Sequence, residues 1–351
     1  MKFLGNSYKD LKMFPEALKC YKKIEKIDPN DPVAQFLQSQ IHIRHGRFNI
    51  GWKLYEYGLK NNIRKPFSGY YEEKSQLWNG TPFDGYLLVY AEQGLGDQLN
   101  FGTLIKDLIK VQPKVLIKVD NRLKQIFQNT YPEIIVYGEE DIIPNESYKK
   151  YISMGSLCKF FRNHTDDFIN SSFQNFKIGR NNNHHISKFF SDIKGFKIGL
   201  SWHSFSTENG KSRSLSTDHL AQITSCPNVN FISIQYGNVL KQIKEVKLMN
   251  GIDILKVPFT DITKDINSLA SIIKNCDLII SVDNSTAHLA ASMGHPTWVL
   301  LPYSADFRWM EDITPAVWYK NSTLIRQNKE NDWQNSVDLI CDAIVKSDIN
   351  S

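Results

Sequence analysis

From Leu87 onward the chain alternates short apolar runs with stretches of helical periodicity, and this alternation admits few folds. A strand covered on both faces reads as a continuous apolar run, so the pattern predicts parallel sheets clad in helices, an α/β class. Two such blocks are visible. The first predicts strands at 87–91, 114–119 and 134–137 and a helix from about 98 to 110. The second predicts strands at 196–202, 230–235, 278–282 and 297–301, with helices near 217–225, 265–275 and 286–293. Between them Asn181-Asn182-Asn183-His184-His185 is a polar break, read as a linker. Its two histidines read as solvated rather than metal-binding, since no third ligand follows at useful spacing.

Residues 1–64 differ. Apolar and small residues recur at helical spacing, and the breaks fall at Pro29-Asn30-Asp31-Pro32 and His45-Gly46-Arg47. Leu4, Gly5, Tyr8, Ala17, Tyr21 and Pro29 lie at the offsets of the tetratricopeptide consensus, which this segment resembles. The match begins inside the first helix of that repeat, and 33–61 reads as a degenerate second copy with Gly46, Trp52 and Tyr55. Fewer than three repeats rarely stand alone, so these helices are expected to pack on the α/β region C-terminal to them.

The bulk properties narrow the function. Lys and Arg number 42 against 37 Asp and Glu, dispersed along the chain, which argues against a nucleic-acid partner. The five cysteines contain no C-x-x-C pair and suit reduced thiols. No apolar run approaches the roughly 18 residues of a transmembrane span, and the N-terminus does not read as a signal peptide. A cytoplasmic protein is expected, with a peripheral place at the inner face of the cytoplasmic membrane compatible with the sequence.

Three segments carry chemistry. Glu92-Gln93-Gly94-Leu95-Gly96-Asp97 stands where a strand ends and a helix begins, the edge that faces ligands in doubly wound sheets. Its glycines let the backbone turn and approach a bound group; Asp97 falls in the first helical turn, as a functional carboxylate or as a helix cap. A dinucleotide fingerprint would need a small residue where Leu99 stands. Asp283-Asn284-Ser285-Thr286-Ala287-His288 is again strand, turn and helix, offering hydroxyls and helix-start N–H groups to phosphate oxygens; a well-capped structural helix with a buried His288 is the plainer alternative. Trp202-His203 precedes the basic loop 206–216, where Lys211 and Arg213 can close on a diphosphate or remain solvated.

The order of these segments, together with Ser233-Ile234-Gln235, Asp306-Phe307-Arg308-Trp309, Trp318-Tyr319 and Arg326-Gln327, is specific. The chain resembles tetratricopeptide-repeat proteins carrying a glycosyltransferase domain similar to the ADP-heptose:lipopolysaccharide heptosyltransferases. The resemblance implies a GT-B fold, two Rossmann-like domains facing a cleft. The expected division is 1–64 helices, 65–84 connector, 85–180 N-terminal acceptor domain, 181–195 linker, 196–328 C-terminal sugar-nucleotide domain, and 329–351 C-terminal helix. That helix, amphipathic over about 335–346, is expected to return across the N-terminal domain.

The resemblance also assigns roles. Asp97 lies where the family has its proposed catalytic Asp, and Asp283, Ser285, Thr286 and His288 lie on its donor-binding motif, with Asn284 in place of a Thr. Glu92, Gln93, Gly94, Gly96, Trp202, Lys211, Arg213, Asn284 and Gln235 complete the expected substrate-binding set. Arg213 is preferred over Lys211 for the diphosphate because Arg-Ser before an apolar residue recurs in the tetratricopeptide-linked group. The implied activity is inverting glycosyl transfer without metal or other cofactor, from a nucleotide-diphosphate sugar to a hydroxyl of a glycan or protein, with a protein partner on the helical repeats. Two other classes compete: a helical-repeat interaction protein with an inactive, sugar-nucleotide-binding transferase fold, and a nicotinamide oxidoreductase.

Overall fold

The computed structural model describes residues 1–64, 76–169, 175–179, 184–206, 210–311 and 316–346. They fall into two units, Met1–Lys177 with Ser304–Trp318, and Ile178–Tyr303 with Tyr319–Ser351.

The first unit opens with helices α1 (Lys2–Asp10), α2 (Phe14–Ile27), α3 (Pro32–Arg44) and α4 (Phe48–Tyr55), each packed on the next. Asp31 starts α3 by accepting from the N–H groups of Val33 and Ala34 at 2.7 and 3.1 Å, and Pro32 needs no such partner. Phe14, Ala17, Tyr21 and Ile41 form a small core between the helices. Beyond them lie four parallel strands: β1 (Leu87–Tyr90), β2 (Val115–Val119), β3 (Ile135–Gly138) and β4 (Lys150–Ser153), in the order β3-β2-β1-β4. The order reverses at β1 and β4, so the strand ends at Tyr90 and Ser153 flank the switch point. The helix expected over 98–110 is two helices, Leu95–Gly102 and Ile105–Val111, and β4 was not expected. Its four residues open on a lysine and are too few to show a period.

The second unit holds β5 (Phe196–Ser201), β6 (Val229–Ser233), β7 (Leu278–Val282), β8 (Thr297–Leu301) and β9 (Ser322–Arg326), all parallel, in the order β6-β5-β7-β8-β9. Here the switch point lies between β5 and β7. Leu200, Phe231, Ile280, Val282 and Leu300 belong to its core. Edge strand β9 is half polar and gave no strand signal. The linker expected over 181–195 contains a helix, His184–Ser191, with Ile186 and Phe190 buried; 181–183 lie outside the described residues.

The C-terminal helix Gln334–Lys346 forms, but not where it was expected. It packs on helix Thr217–Thr224 of its own unit, where Val337, Ile340 and Ile344 enter the core with Trp333 and Gln222 Nε2 donates to Asp338 at 2.7 Å. The apolar face fits that helix, and Ser304–Trp318 is the late segment that joins the first unit instead. Each of these buried side chains contributes about 1.5–3 kcal/mol. A truncation after Asn331 is therefore expected to lower the melting temperature well beyond the effect of a surface substitution; an unchanged melt would refute the packing. Among the described residues, no helix is long and apolar enough to cross a membrane.

Candidate active site

In the second unit the site is built at the ends of β5 and β7. Asn284 is extended (φ −151°, ψ −179°) and begins helix Ser285–Ser292. Its amide oxygen accepts from the Thr286 and Ala287 N–H groups at 2.9 and 3.2 Å and from Ser281 Oγ at 3.1 Å. Its amide nitrogen donates to Ser201 Oγ at 2.9 Å and the His203 carbonyl at 3.2 Å. A threonine has one hydroxyl proton and cannot donate twice, so asparagine here ties the helix start to the end of β5.

That tie separates Ser285 from Thr286. Ser285 is half-buried at the first helical position, whereas Thr286 is fully buried, its N–H is taken by Asn284, and its hydroxyl has no hydrogen-bond partner among the described residues. Ser285 is the member of the pair left at the surface.

Asp283 is buried and pairs with Arg213, Nη1 to Oδ2 at 3.3 Å. His288 Nε2 stands 3.9 Å from Asp283 Oδ1, and His288 Nδ1 lies 2.9 Å from the Tyr319 hydroxyl. Arg213, Asp283, His288 and Tyr319 thus form one polar chain beside the helix start. Lys211 is exposed, and 207–209 of the basic loop lie outside the described residues. Tyr236, missed by sequence reasoning, faces Arg213 and Asp283; burial raises its phenol above the usual range. It is one residue past Ser233-Ile234-Gln235.

Two expected ligands turn out to organise the loop. Gln235 accepts through Oε1 from the Trp202 and His203 N–H groups, both at 2.8 Å, and donates through Nε2 to the His203 and Tyr236 carbonyls at 3.1 and 2.9 Å. Its hydrogen-bonding capacity is spent inside the protein. Trp202 is buried in the core and donates its indole N–H to Gln242 at 2.6 Å. His203 is half-buried, and desolvation lowers its imidazole pKa, favouring the neutral form.

In the first unit, Glu92 stands just past the end of β1, buried and bound to the guanidinium of Arg64 through Nε at 3.1 Å and through Nη2. It also accepts from the Gly155 N–H at 3.2 Å. Arg64 is fully buried and donates further to Ser153 Oγ at 2.7 Å, so the switch point of this sheet is filled by the chain's own arginine. A Cβ on Gly155 would lie 2.6 Å from Glu92 Oε1 and 2.9 Å from Arg64 Nη2, so that position excludes side chains. Glu92 is a structural anchor here, not an open ligand. Arg64 carried no sequence signal.

Gln93 accepts from the Tyr55 hydroxyl at 2.7 Å, and Arg64 stacks 4.1 Å from the Tyr55 ring centre. Gly94 starts helix Leu95–Gly102, with Gly96 and Asp97 in the first turn; neither glycine has a positive φ, so a left-handed turn is not what they provide. Asp97 is a quarter exposed and ion-paired with Arg308. Arg308 stands in the segment Asp306-Phe307-Arg308-Trp309, but nothing in the sequence joined it to Asp97. Among the described residues, no group of three His, Cys, Asp or Glu side chains is placed to hold a metal ion.

No family model matches the chain. By sequence it is similar to Protein FlbA of Caulobacter vibrioides, 23% identical over 335 residues, which take in 89% of this chain and 55% of that protein. The chain thus spans about half the length of the curated relative it matches. By structure it is similar to a glycosyl transferase family 9 protein from Veillonella parvula, with 12% identity, TM-score 0.50, and coverage of 75% of this chain and 91% of that one. It is also similar to the E. coli ADP-heptose lipopolysaccharide heptosyltransferase II, with 11% identity, TM-score 0.51, and coverage of 74% and 96%. The fold is that of the heptosyltransferases: two α/β units built on parallel sheets, here with a helical N-terminus.

Proposed function

We propose that the chain is a metal-independent inverting glycosyltransferase of GT-B type, moving a sugar from a nucleotide-diphosphate donor to a hydroxyl of a glycan or protein. The observation that carries this reading is the switch point of the second sheet. A helix start capped by Asn284 presents Ser285 beside the Arg213–Asp283 pair, in a fold shared with E. coli heptosyltransferase II. The helix dipole and Arg213 supply positive charge for a diphosphate, the role a divalent cation plays elsewhere. In this reading Asp97 removes the proton of the acceptor hydroxyl as its oxygen attacks the anomeric carbon and the nucleoside diphosphate departs. Helices α1–α4 are read as degenerate tetratricopeptide units, a surface for a protein partner, supported by their successive packing and the Ala17, Tyr21 core. A cytoplasmic location follows from this chemistry, since nucleotide sugars are made there.

A thermal-shift screen of nucleoside diphosphates and sugar nucleotides tests the reading, because a ligand at one hundred times its dissociation constant adds about 2.7 kcal/mol of stability. Stabilisation by none of them overturns it. Stabilisation without donor hydrolysis or transfer to any acceptor favours the inactive, sugar-nucleotide-binding alternative. Ser285→Ala alone is expected to weaken nucleoside diphosphate binding about tenfold with an unchanged melt, matching the loss of a hydrogen bond to a charged group; calorimetry showing equal affinity would remove Ser285 from the site.

A further inference from the structure

The C-terminal helix does more than fill the core of the second unit. Gln334, Asp338 and Cys341 recur along it at helical spacing and form one stripe, which faces the end of helix Thr217–Thr224. Gln222 Nε2 donates to Asp338 Oδ1 at 2.7 Å, and Gln334 Nε2 donates to Gln222 Oε1 at 2.8 Å. Cys341 Sγ lies 3.8 Å from the Gln222 carbonyl oxygen. Cys226 follows one turn beyond Gln222, its N–H donating to the Ile223 carbonyl at 3.2 Å. The two sulfurs therefore meet: the thiols of Cys226 and Cys341 are in hydrogen-bond contact, both against the same apolar core.

This pair differs from the other cysteines. Both members are free thiols, Cys226 buried and Cys341 half-buried, so one of them is open to a small oxidant. The hydrogen bond from Cys341 lowers the Cys226 thiol below the usual cysteine range, against the burial that raises it, which favours a reactive thiolate. Cys20, Cys158 and Cys276 are buried away from this corner. Burial pushes the Cys276 thiol up to about 12 and raises that of Cys158 as well, which keeps both protonated and unreactive.

We propose that Cys226 and Cys341 are a redox-sensitive pair: hydrogen peroxide joins them in a disulfide that fastens the C-terminal helix to the turn before β6, and a dithiol reductant releases it. In the first step one sulfur attacks a peroxide oxygen, the O–O bond breaks, and the departing hydroxide takes up that thiol's proton as water. The second sulfur then attacks the first, the S–O bond breaks, and a second water leaves with the other thiol proton. The two sulfurs together lose two electrons and the peroxide gains two. Release runs by exchange, the dithiol giving two electrons and two protons and ending as its own disulfide. Gln222, Gln334 and Asp338 on one side and Val337, Ile340 and Ile344 on the other hold the helix in place, so the sulfurs face each other before they react. The bond closes a loop of more than one hundred residues that takes in β6 to β9 and the helix start at Asn284.

The test uses the full chain, first reduced, then treated briefly with hydrogen peroxide, unfolded and alkylated. Peptide mapping without reductant is expected to show one cross-link, between the peptides bearing Cys226 and Cys341, two hydrogens lighter than their sum and separated by dithiothreitol. Thiol titration in denaturant is expected to fall from five groups to three. The oxidised chain is expected to melt several degrees higher than the reduced one, since the cross-link restricts the unfolded chain. Cys341→Ser is expected to lose both the cross-link and the gain in melting temperature. Peroxide that leaves both thiols free, carries Cys341 to a sulfinic acid beside a free Cys226, or links two chains overturns the proposal. The cross-link is read in the native sequence, so the outcome stands whether or not the serine variant folds.

Discussion

Arg64→Ala is expected to destabilise the chain by about 3–5 kcal/mol, the cost of stranding one partner of a buried ion pair. Arg64 is fully buried, and its guanidinium satisfies Glu92, Ser153 and the Tyr55 carbonyl at once. Without it Glu92 stays buried with its charge, left mainly with the Gly155 N–H, which cannot replace a cation. The same arginine joins the last turn of the helical segment to the ends of β1 and β4, so its loss also loosens α1–α4 from the sheet. Urea or thermal unfolding measures the effect, with Glu92→Gln expected to cost a comparable amount. The double variant Arg64→Met, Glu92→Met should cost less than the sum of the single ones, because it removes both charges. Additive losses, or an Arg64→Ala melt within a degree of the native one, would show that the pair is not what holds the segments together.

The second large effect is catalytic. Asp97→Asn is expected to lower turnover by roughly 10²–10⁴, the range for loss of a general base, while nucleoside diphosphate affinity stays within a few fold. Asparagine keeps the shape and can still accept from Arg308 through its amide oxygen, but it cannot take up a proton at neutral pH. The split between turnover and binding is therefore diagnostic. Turnover near the native value with a verified acceptor would reduce Asp97 to a partner of Arg308 at a helix start. Glu92 would then be a poor substitute, since its carboxylate is bound to Arg64 and Gly155, and His203 would be the next residue to replace.

The strands most easily read in the sequence are those buried on both faces. Leu87–Tyr90, Leu278–Val282 and Thr297–Leu301 are unbroken or nearly unbroken apolar runs, because parallel strands between helix layers have no wet face. The helix starts at Leu95 and Ser285 were legible for a local reason as well: the turn residues that end a strand and begin a helix are neighbours in sequence. Lys150–Ser153 and Ser322–Arg326 were silent, since their strand identity comes from pairing with residues far away in the chain rather than from their own pattern.

The sequence by itself thus determined the α/β class, the helical start, and the positions of Asp97 and Asp283 to Ser285 just past strand ends, because hydrophobic period and turn chemistry act over a few residues. Only the tertiary structure decided which polar side chains remain available. Glu92 and Gln235 carry the same chemistry in sequence as any ligand, and became internal ties when Arg64, Gly155 and the His203 loop came within hydrogen-bond reach. It also placed Arg308 on Asp97 across more than two hundred residues of chain, and returned the C-terminal helix to its own unit. Such pairings are set by which surfaces exclude water together, and sequence separation carries no record of that.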